Sequence, residues 1–463
     1  MVASKPFLKR GISFQVEPSK TGFATTDECH PVYVVPAGIV EGNIRIKELR
    51  DAIPPHCFQP TLAKSFLYLG RDLLYSVLMT CFFFFTIPKI VQTHPLLYYP
   101  LMALYSFSQG IVWTGLWINA HECGHSAFSK YSVVNDTIGW TLHSFLLTPY
   151  FSWKSTHRRH HIYANHVERD HNYVPPMRDQ YAAKIGLKPG QLDELTEDAP
   201  AVLFVRILIQ QLIGWNWYIL ANITCPPTAV AKPTKSAWRN SHFDPWGSLF
   251  RESERLAILL SDVGCFMTIA GLYILKQYLG SWSQIFWFYV VPWTWTNHWI
   301  VMITYLHHTH PSIPKFAPEE WTFILGATAT MDREFGLIGT HFFHRISSDH
   351  VTHHLFSKIP HYYARDATNA IAPLLGKQYK RGSFGWAELK LAFSKCQWVE
   401  EDNHKDEKYF GADAGKDVVE KGPSGEEKKV KKALWYKAGP SPAPEYRQRL
   451  DEADNKNVLS AIA

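Results

Sequence analysis

Apolar residues along this 463-residue chain are gathered into long blocks, while polar residues collect at the two ends. Leu96 to Ala120 and Trp282 to Leu306 contain no Asp, Glu, Lys or Arg, and Ala257 to Leu279 is interrupted only by Asp262 and Lys276. A helix of roughly twenty predominantly apolar residues crosses the hydrocarbon core of a bilayer, so each block predicts a membrane span. A fourth, Phe66 to Ile87, carries Arg71 and Asp72 near its start and then runs LLYSVLMTCFFFFTI. The joints Pro88 to Pro95 and Gly280 to Ser281 are short, which folds the four into two helical hairpins. The expected fold is an all-α integral membrane protein with spans at about 66–87, 96–120, 257–279 and 282–306. Residues 1–60 read as a polar N-terminal region and 61–400 as the membrane domain. Residues 401–463 read as a polar tail, expected to be disordered because runs such as EEKKVKK and GPSPAPEYR favour solvation over burial.

Charge and cysteine content narrow the class. The formal charge of +6 is spread over tails and loops without a long basic run or a nucleic-acid motif, so nucleic acid is not an expected partner. Short outer loops with few positive charges, against larger basic termini, put both tails in the cytosol. The seven cysteines lie far apart with no CxxC and read as reduced thiols. The amino terminus, MVASKPFLKR, has neither the apolar core of a secretory signal nor an arginine-rich amphipathic transit segment, so insertion is expected to rely on internal helices.

The chemistry is carried by histidine. Of 23 histidines, eight lie between His121 and His171 and ten between His298 and His361, each window following a hairpin. Within them HECGH (His121, His125), HRRHH (His157, His160, His161) and HVTHH (His350, His353, His354) share one grammar. Residues three or four apart share a helix face, so each spacing can aim imidazoles at one point. Adjacent imidazoles diverge by about 100° on a helix, which suits two metal ions better than one. Eight clustered imidazoles exceed the four ligands of a structural zinc, although ligand type alone leaves copper and zinc open beside iron. HECGH alone also matches the zinc-protease pattern with Glu122 as base, but that reading leaves two boxes unexplained. Isolated histidines such as His30, His56, His94, His143, His242 and His404 are read as core or surface residues. If the boxes form one site they share a membrane face, so the apolar stretches Thr137 to Trp153 and Ile207 to Thr224 must be interfacial or re-entrant helices rather than spans.

With these boxes on the page, the chain resembles the membrane-bound fatty acid desaturases, and among them the fungal delta-12 (oleate) acyl-lipid desaturases. The resemblance runs from about Asp51 to Glu400 and includes IPPHCFQPTL, NDTIGWTLHSFLLTPYFSW, VERD, NSHFDP, ATMDREFG and IPHYYA. The third box begins with His350, where front-end desaturases have Gln, and no haem-binding HPGG occurs. The resemblance implies a cytosolic di-iron cap on four spans, with His121, His125, His157, His160, His161, His350, His353 and His354 as iron ligands. A ninth ligand is expected in TYLHHTHP, where His308 matches the family's fixed His. Thr304, four residues earlier, stands where related acyl-CoA enzymes hold a water through Asn, and His310 is a less certain contributor. Two irons with O2 as co-substrate, electrons from NADH through cytochrome b5 reductase and cytochrome b5, and an endoplasmic reticulum location follow from the same resemblance. The implied product is linoleoyl, formed by a cis double bond in an oleoyl chain esterified in phosphatidylcholine.

Second-shell carboxylates that orient the rings are candidates at Glu122, Glu168, Asp170 and Asp349. Aromatics such as Trp113, Trp117, Trp140, Trp293 and Trp299 read mostly as interface-belt residues. Several residues depart from the commonest delta-12 pattern: Asn119, Ser126, Thr352 and the short loop CPPTAVAKPTKSAW. They keep an omega-3 or bifunctional desaturase, a hydroxylase, an acetylenase and a conjugase in view. A metal-binding membrane protein without catalysis is the non-enzyme alternative, although transporters place ligands at mid-membrane.

Overall fold

The computed structural model describes residues 44–184, 186–188, 192, 200–222, 224–232, 240–401, 419–421, 427–429 and 434–436. Described residues are mostly helical. In chain order the helices are α1 Ile46–Ala52, α2 Leu62–Thr93, α3 Tyr98–Gly124, α4 Ser132–Phe145, α5 Tyr150–Ile162, α6 Arg178–Lys184 and α7 Pro200–Ala221. They continue with α8 Arg255–Leu279, α9 Trp282–Ile285, α10 Val291–His308, α11 Phe323–Thr328, α12 His350–Leu355, α13 His361–Leu375 and α14 Trp386–Lys395. α2 packs along α3 as the first expected hairpin, whereas α8 meets the short α9 at the second turn and does not pack along α10.

α3 is the central helix, packed on α2, α4 and α10. Every residue from Gln109 to Cys123 is buried. Gly110 permits this packing: a Cβ there would lie 2.3 Å from the Cβ of Trp295 on α10. Between α9 and α10 the backbone widens into a π turn, Phe286–Val290. Pro292 has no N–H to bond the carbonyl four residues earlier, and Tyr105 Oη from α3 donates to that carbonyl, Phe288 O, at 3.4 Å. Ser106 Oγ does the same for Trp287 O at 3.2 Å. The break thereby becomes a contact between hairpins.

Among the described residues three helices are long and apolar enough to cross a membrane by length and composition: Leu62–Thr93, Pro200–Ala221 and Glu252–Leu279. The stretch expected to be barely long enough at Ile207 to Thr224 is thus the end of a 22-residue helix that begins at Pro200. α3 carries Gln109, Thr114, Asn119 and His121 on buried faces, so its apolar content is diluted by groups that bond within the protein.

Among the described residues the strands are short and lie beyond residue 331. β1 Asp332–Glu334 pairs in parallel with β2 Arg381–Ser383, and β3 Val399–Glu401 pairs antiparallel with β6 Leu434–Tyr436. β4 Val419–Lys421 pairs with β5 Glu427–Lys429. The disorder expected of the whole tail is therefore corrected: Leu434 and Tyr436 are buried with Cys396 and Val399. A bulky apolar triplet is a natural strand former once a pairing edge is available. The N-terminal region is likewise more than a polar leader, since Leu49, Ile53 and Cys57 pack into a core with α11, α12 and α13. Among the described residues six cysteines are free thiols, while Cys29 lies outside them.

Candidate metal centre

The first box ends α3. His125 N–H, Ser126 N–H and Ala127 N–H fold back to the carbonyls of His121, Cys123 and Glu122 at 3.2, 3.1 and 2.9 Å. Ser126 takes a left-handed conformation, φ 59°, as the residue past a helix end commonly does. Its side chain is exposed, so its departure from the family pattern has a backbone role: it stops the helix one residue past the box. His121 and His125 then stand one turn apart, ring centroids 4.6 Å apart.

The second box occupies the last turn of α5 and the third is α12 itself. Val351 N–H donates to Asp332 Oδ1 at 2.7 Å, so the carboxyl of β1 caps α12. Tyr379 Oη donates to the other oxygen, also at 2.7 Å. Burial and the neighbouring Asp349 push the Asp332 carboxyl up to about 8. His308 closes α10, and three of the four carbonyls a helix end leaves unpaired are met here. Arg333 Nε donates to Leu306 O at 2.7 Å, Thr330 Oγ1 to His307 O at 2.8 Å, and Lys315 Nζ to His308 O at 2.9 Å. Nothing in residue spacing pointed to Thr330, Asp332, Arg333 or Lys315. The only available signal was the run of three charged residues, Asp332 to Glu334, inside ATMDREFG, flanked by Met331 and Phe335.

The imidazoles fall into two groups. His121, His125, His157, His161 and His353 bring one ring nitrogen each within 4.8 Å of one another, and His160, His308 and His354 form a second such set. His350 joins the second, its Nε2 3.2 Å from His308 Nε2. His160 and His354 approach the same His308 nitrogen at 3.4 and 3.2 Å. Adjacent ligands thus part company: His160 and His354 serve one group, His161 and His353 the other. Rings of His161 and His354 stack across the divide at 4.2 Å.

The donor set fits metal ions. Imidazole nitrogens at about 2.0–2.1 Å from a tetrahedral ion lie about 3.3 Å from each other, close to the three separations at His308. One N–H at most can lie among those nitrogens, so neutral rings cannot satisfy each other there; a cation can. In the first group, Nε2 of His125 and of His353 are buried with no hydrogen-bond partner. Burial first, then the neighbouring imidazoles, holds His125, His157, His161, His350, His353 and His354 well below the ordinary histidine range. Neutral rings keep the lone pair that a ligand needs.

Orientation comes from acceptors behind the rings. His160 Nδ1 donates to Asp170 Oδ1 at 2.7 Å, and Asp170 also accepts from Asn165 N–H and Asn172 N–H, each at 2.9 Å. Burial opposes its charge, but His160 and these donors hold Asp170 below its ordinary range. His350 Nδ1 donates to Ile346 O at 3.1 Å, which leaves Nε2 free to ligate. Of the other carboxylates expected behind the rings, Glu122 Oε2 accepts from His361 N–H at 2.9 Å while Oε1 stands 3.6 Å from His121 Nδ1. Asp349 pairs with Arg365 at 3.1 Å instead, and Glu168 is exposed. Thr304 donates back to Ile300 O at 2.9 Å, the ordinary bond of a helical threonine. His310 Nδ1 meets Ser312 Oγ at 2.7 Å, outside both groups. Both nitrogens of His307 face carbonyls, Ile303 O and Ser347 O, so no lone pair is aimed at the cluster. His143 and His242 bond Trp117 O and Ile219 O as core residues, and His30 and His404 lie outside the described residues.

A cavity of about 560 Å³ reaches this cluster, within the roughly 300–1,000 Å³ of small-molecule sites. His121, His157 and His350 line it together with Trp117, Ile118, Trp153, Trp215, Ile300 and Ile303. It offers a mostly apolar lodging against the imidazoles. The aromatics near the site are therefore largely internal: Trp113, Trp117, Trp153 and Trp299 are buried in the main core.

Residues 95–384 match the family model described as fatty acid desaturase. The oleate hydroxylase of Claviceps purpurea is 39% identical over 372 residues, 77% of this chain and 78% of its own length. The delta(12)-fatty-acid desaturase of Arabidopsis thaliana is 38% identical over 78% of this chain and 89% of its own, and the oleoyl-12-hydroxylase of Ricinus communis is 38% identical over 77% and 86%. With a histidine cluster suited to metal at the foot of an apolar cavity, and three helices able to cross a bilayer, the chain belongs to the membrane fatty acid desaturase family, oxidoreductases that act on fatty acyl chains.

Proposed function

We propose that the protein is a delta-12 desaturase of the endoplasmic reticulum membrane that converts a phospholipid-borne oleoyl chain to linoleoyl. The carrying observation is the apolar cavity that ends on imidazoles of both groups, at His121, His157 and His350. In the balanced reaction one CH2–CH2 unit loses two hydrogens, O2 takes up these with two electrons and two protons, and two waters leave. Two irons held by the nine histidines would supply the oxygen chemistry. The chain's own part is positioning: Trp117, Trp153 and Trp215 confine the acyl chain and exclude water, and Asp170 and Ile346 O fix the rings of His160 and His350 with Nε2 inward. Cytochrome b5, reduced through its NADH-dependent reductase, is the proposed electron donor.

The four-span arrangement with cytosolic termini is part of the same reading. It is supported by the rings of the three boxes meeting in one cluster, which requires the boxes to share one membrane face; α7 is then read as lying along the cap rather than across the bilayer.

Expression in a yeast that makes oleate, followed by gas chromatography of total fatty acids, tests the reading: linoleate is the expected new product. A 12-hydroxy chain in its place would replace it with the second reading, a hydroxylase, which the names of the Claviceps and Ricinus relatives favour. An unchanged profile would leave neither standing.

A further inference from the structure

Among the described residues one further set of donors converges, away from the histidine cluster. Cys57 Sγ lies 3.7 Å from His56 Nε2, and Asp366 Oδ2 stands 4.0 Å from the same nitrogen. One donor atom from each of the three lies within 4.8 Å of the others. His56 and Cys57 sit on the 3₁₀ turn Pro55–Phe58 between α1 and α2, whereas Asp366 sits on α13. Pro54 and Pro55 fix the backbone entering the turn, and Phe58 stands edge-on to Phe356 at 5.9 Å. Tyr363, three residues before Asp366 on the same face of α13, meets the His56 ring at 5.0 Å. The thiol is buried in the core shared with α11, α12 and α13, but the side chains of His56 and Asp366 are 56% and 58% exposed. The set is thus open to solvent on one side, with sulfur as its floor.

Geometry separates two uses of such a triad. In a nucleophilic relay the thiol and the carboxylate address opposite ring nitrogens of the histidine. Here both address Nε2, which carries one hydrogen or one lone pair and can serve only one of them. A cation among the three serves all. We propose that His56, Cys57 and Asp366 bind one zinc ion, with water in the fourth position, as a clip between the N-terminal turn and α13. Imidazole and thiolate on a tetrahedral zinc stand about 3.6 Å apart, and imidazole and carboxylate about 3.4 Å. The first spacing is met, and turning the exposed Asp366 side chain closes the second. Thiolate and imidazole favour zinc over the hard ions magnesium and calcium. Burial, then Asp366, holds the Cys57 thiol above its ordinary range, so its proton stays until the metal displaces it to water. The clip bears on the boxes through α13: His361 N–H donates to Glu122 Oε2 at 2.9 Å, and the hydroxyls of Thr368 and Thr352 are 2.6 Å apart. The site is independent of which product the enzyme makes.

Cobalt(II) titrated into the full-length protein as purified in detergent, with iron content followed throughout, tests the clip. A thiolate ligand gives cobalt an intense near-ultraviolet charge-transfer band; cobalt entering the imidazole cluster gives none. The band is expected to saturate at one cobalt per chain with iron unchanged, and one equivalent of zinc should bleach it. Cys57→Ala abolishes it, and Cys225→Ala, which removes another buried thiol, leaves it intact. His56→Ala and Asp366→Asn alter exposed side chains that folding does not need, and each weakens cobalt binding about ten-fold or more. No band in the wild type, or a band that survives Cys57→Ala, overturns the site. So does undiminished affinity in both His56→Ala and Asp366→Asn, which would assign the cobalt to a thiol alone.

Discussion

The two imidazole groups are built differently behind the rings. The group around His308 is braced by polar bonds: Asp170 behind His160, a carbonyl behind His350, and Arg333, Thr330 and Lys315 on the end of α10. The group around His121 is held by packing. Trp153 stacks on His157 at 4.3 Å and Trp117 lies 5.9 Å from His121; Nδ1 of His121 and of His161 has no hydrogen-bond partner, as is also true of His308 and His354 in the other group. Directed bonds fix a ring's tautomer and its angle; packing fixes its place and leaves its protonation to the ion. The first group also faces the cavity more fully, through His121 and His157, and a wall of aromatic carbon serves an acyl chain better than a polar one.

This contrast can be broken by substitution. The largest effect belongs to His308→Ala, which removes the nitrogen on which three others converge: product in the yeast assay is expected to fall more than 100-fold, to background. Retention of a tenth of the activity would dissolve the second group as a unit. Asp170→Asn keeps the shape but loses the anionic acceptor behind His160, and is expected to cost 10–100-fold in metal affinity or activity, read as iron per protein in the purified enzyme. Trp153→Leu should leave metal content within about two-fold. It should instead lower thermal stability, since replacing a large buried aromatic costs on the order of 3 kcal/mol. Equal metal loss from Asp170→Asn and Trp153→Leu would show that the two groups do not differ in bracing.

The smallest effect concerns pH. Burial lowers Lys315 from its ordinary 10.5 to about 8. The folded lysine therefore binds fewer protons than the unfolded one between these values, and stability rises with pH across that window. Lys315→Met, measured by thermal unfolding of the metal-free protein from pH 7.5 to 10.5, should flatten that rise. A parallel pH profile would remove Lys315 from the account.

Legibility in the sequence followed the length scale of each interaction. The spacing in HECGH, HRRHH and HVTHH is a property of single helical turns, so the grouping of their rings could be anticipated, including the divergence of His160 from His161. His308 was reached through the resemblance rather than spacing. What escaped were residues that act across the fold: Asp332 on α12, Arg333 on α10, and Lys315 on the carbonyl of His308. Burial of an arginine or lysine leaves no periodic trace. Second-shell carboxylates were legible only as candidates, and of four only Asp170 bonds an imidazole. α7 escaped as a full-length helix because Arg206 interrupts its apolar run near the start. In the tail, composition concealed Leu434 and Tyr436, which are buried only because an edge at Val399–Glu401 awaits their strand.

That strand has a consequence for how the protein is made. Lys315, whose ammonium holds the carbonyl of His308, exchanges both backbone hydrogen bonds with Leu434, each at 2.8 Å. All nine histidines have left the ribosome long before residue 434 is synthesised, but the loop beside His308 gains its pairing strand only then. A chain stopped at residue 430 should therefore emerge with its histidines complete and that loop half-paired, detectable as faster amide exchange at Lys315.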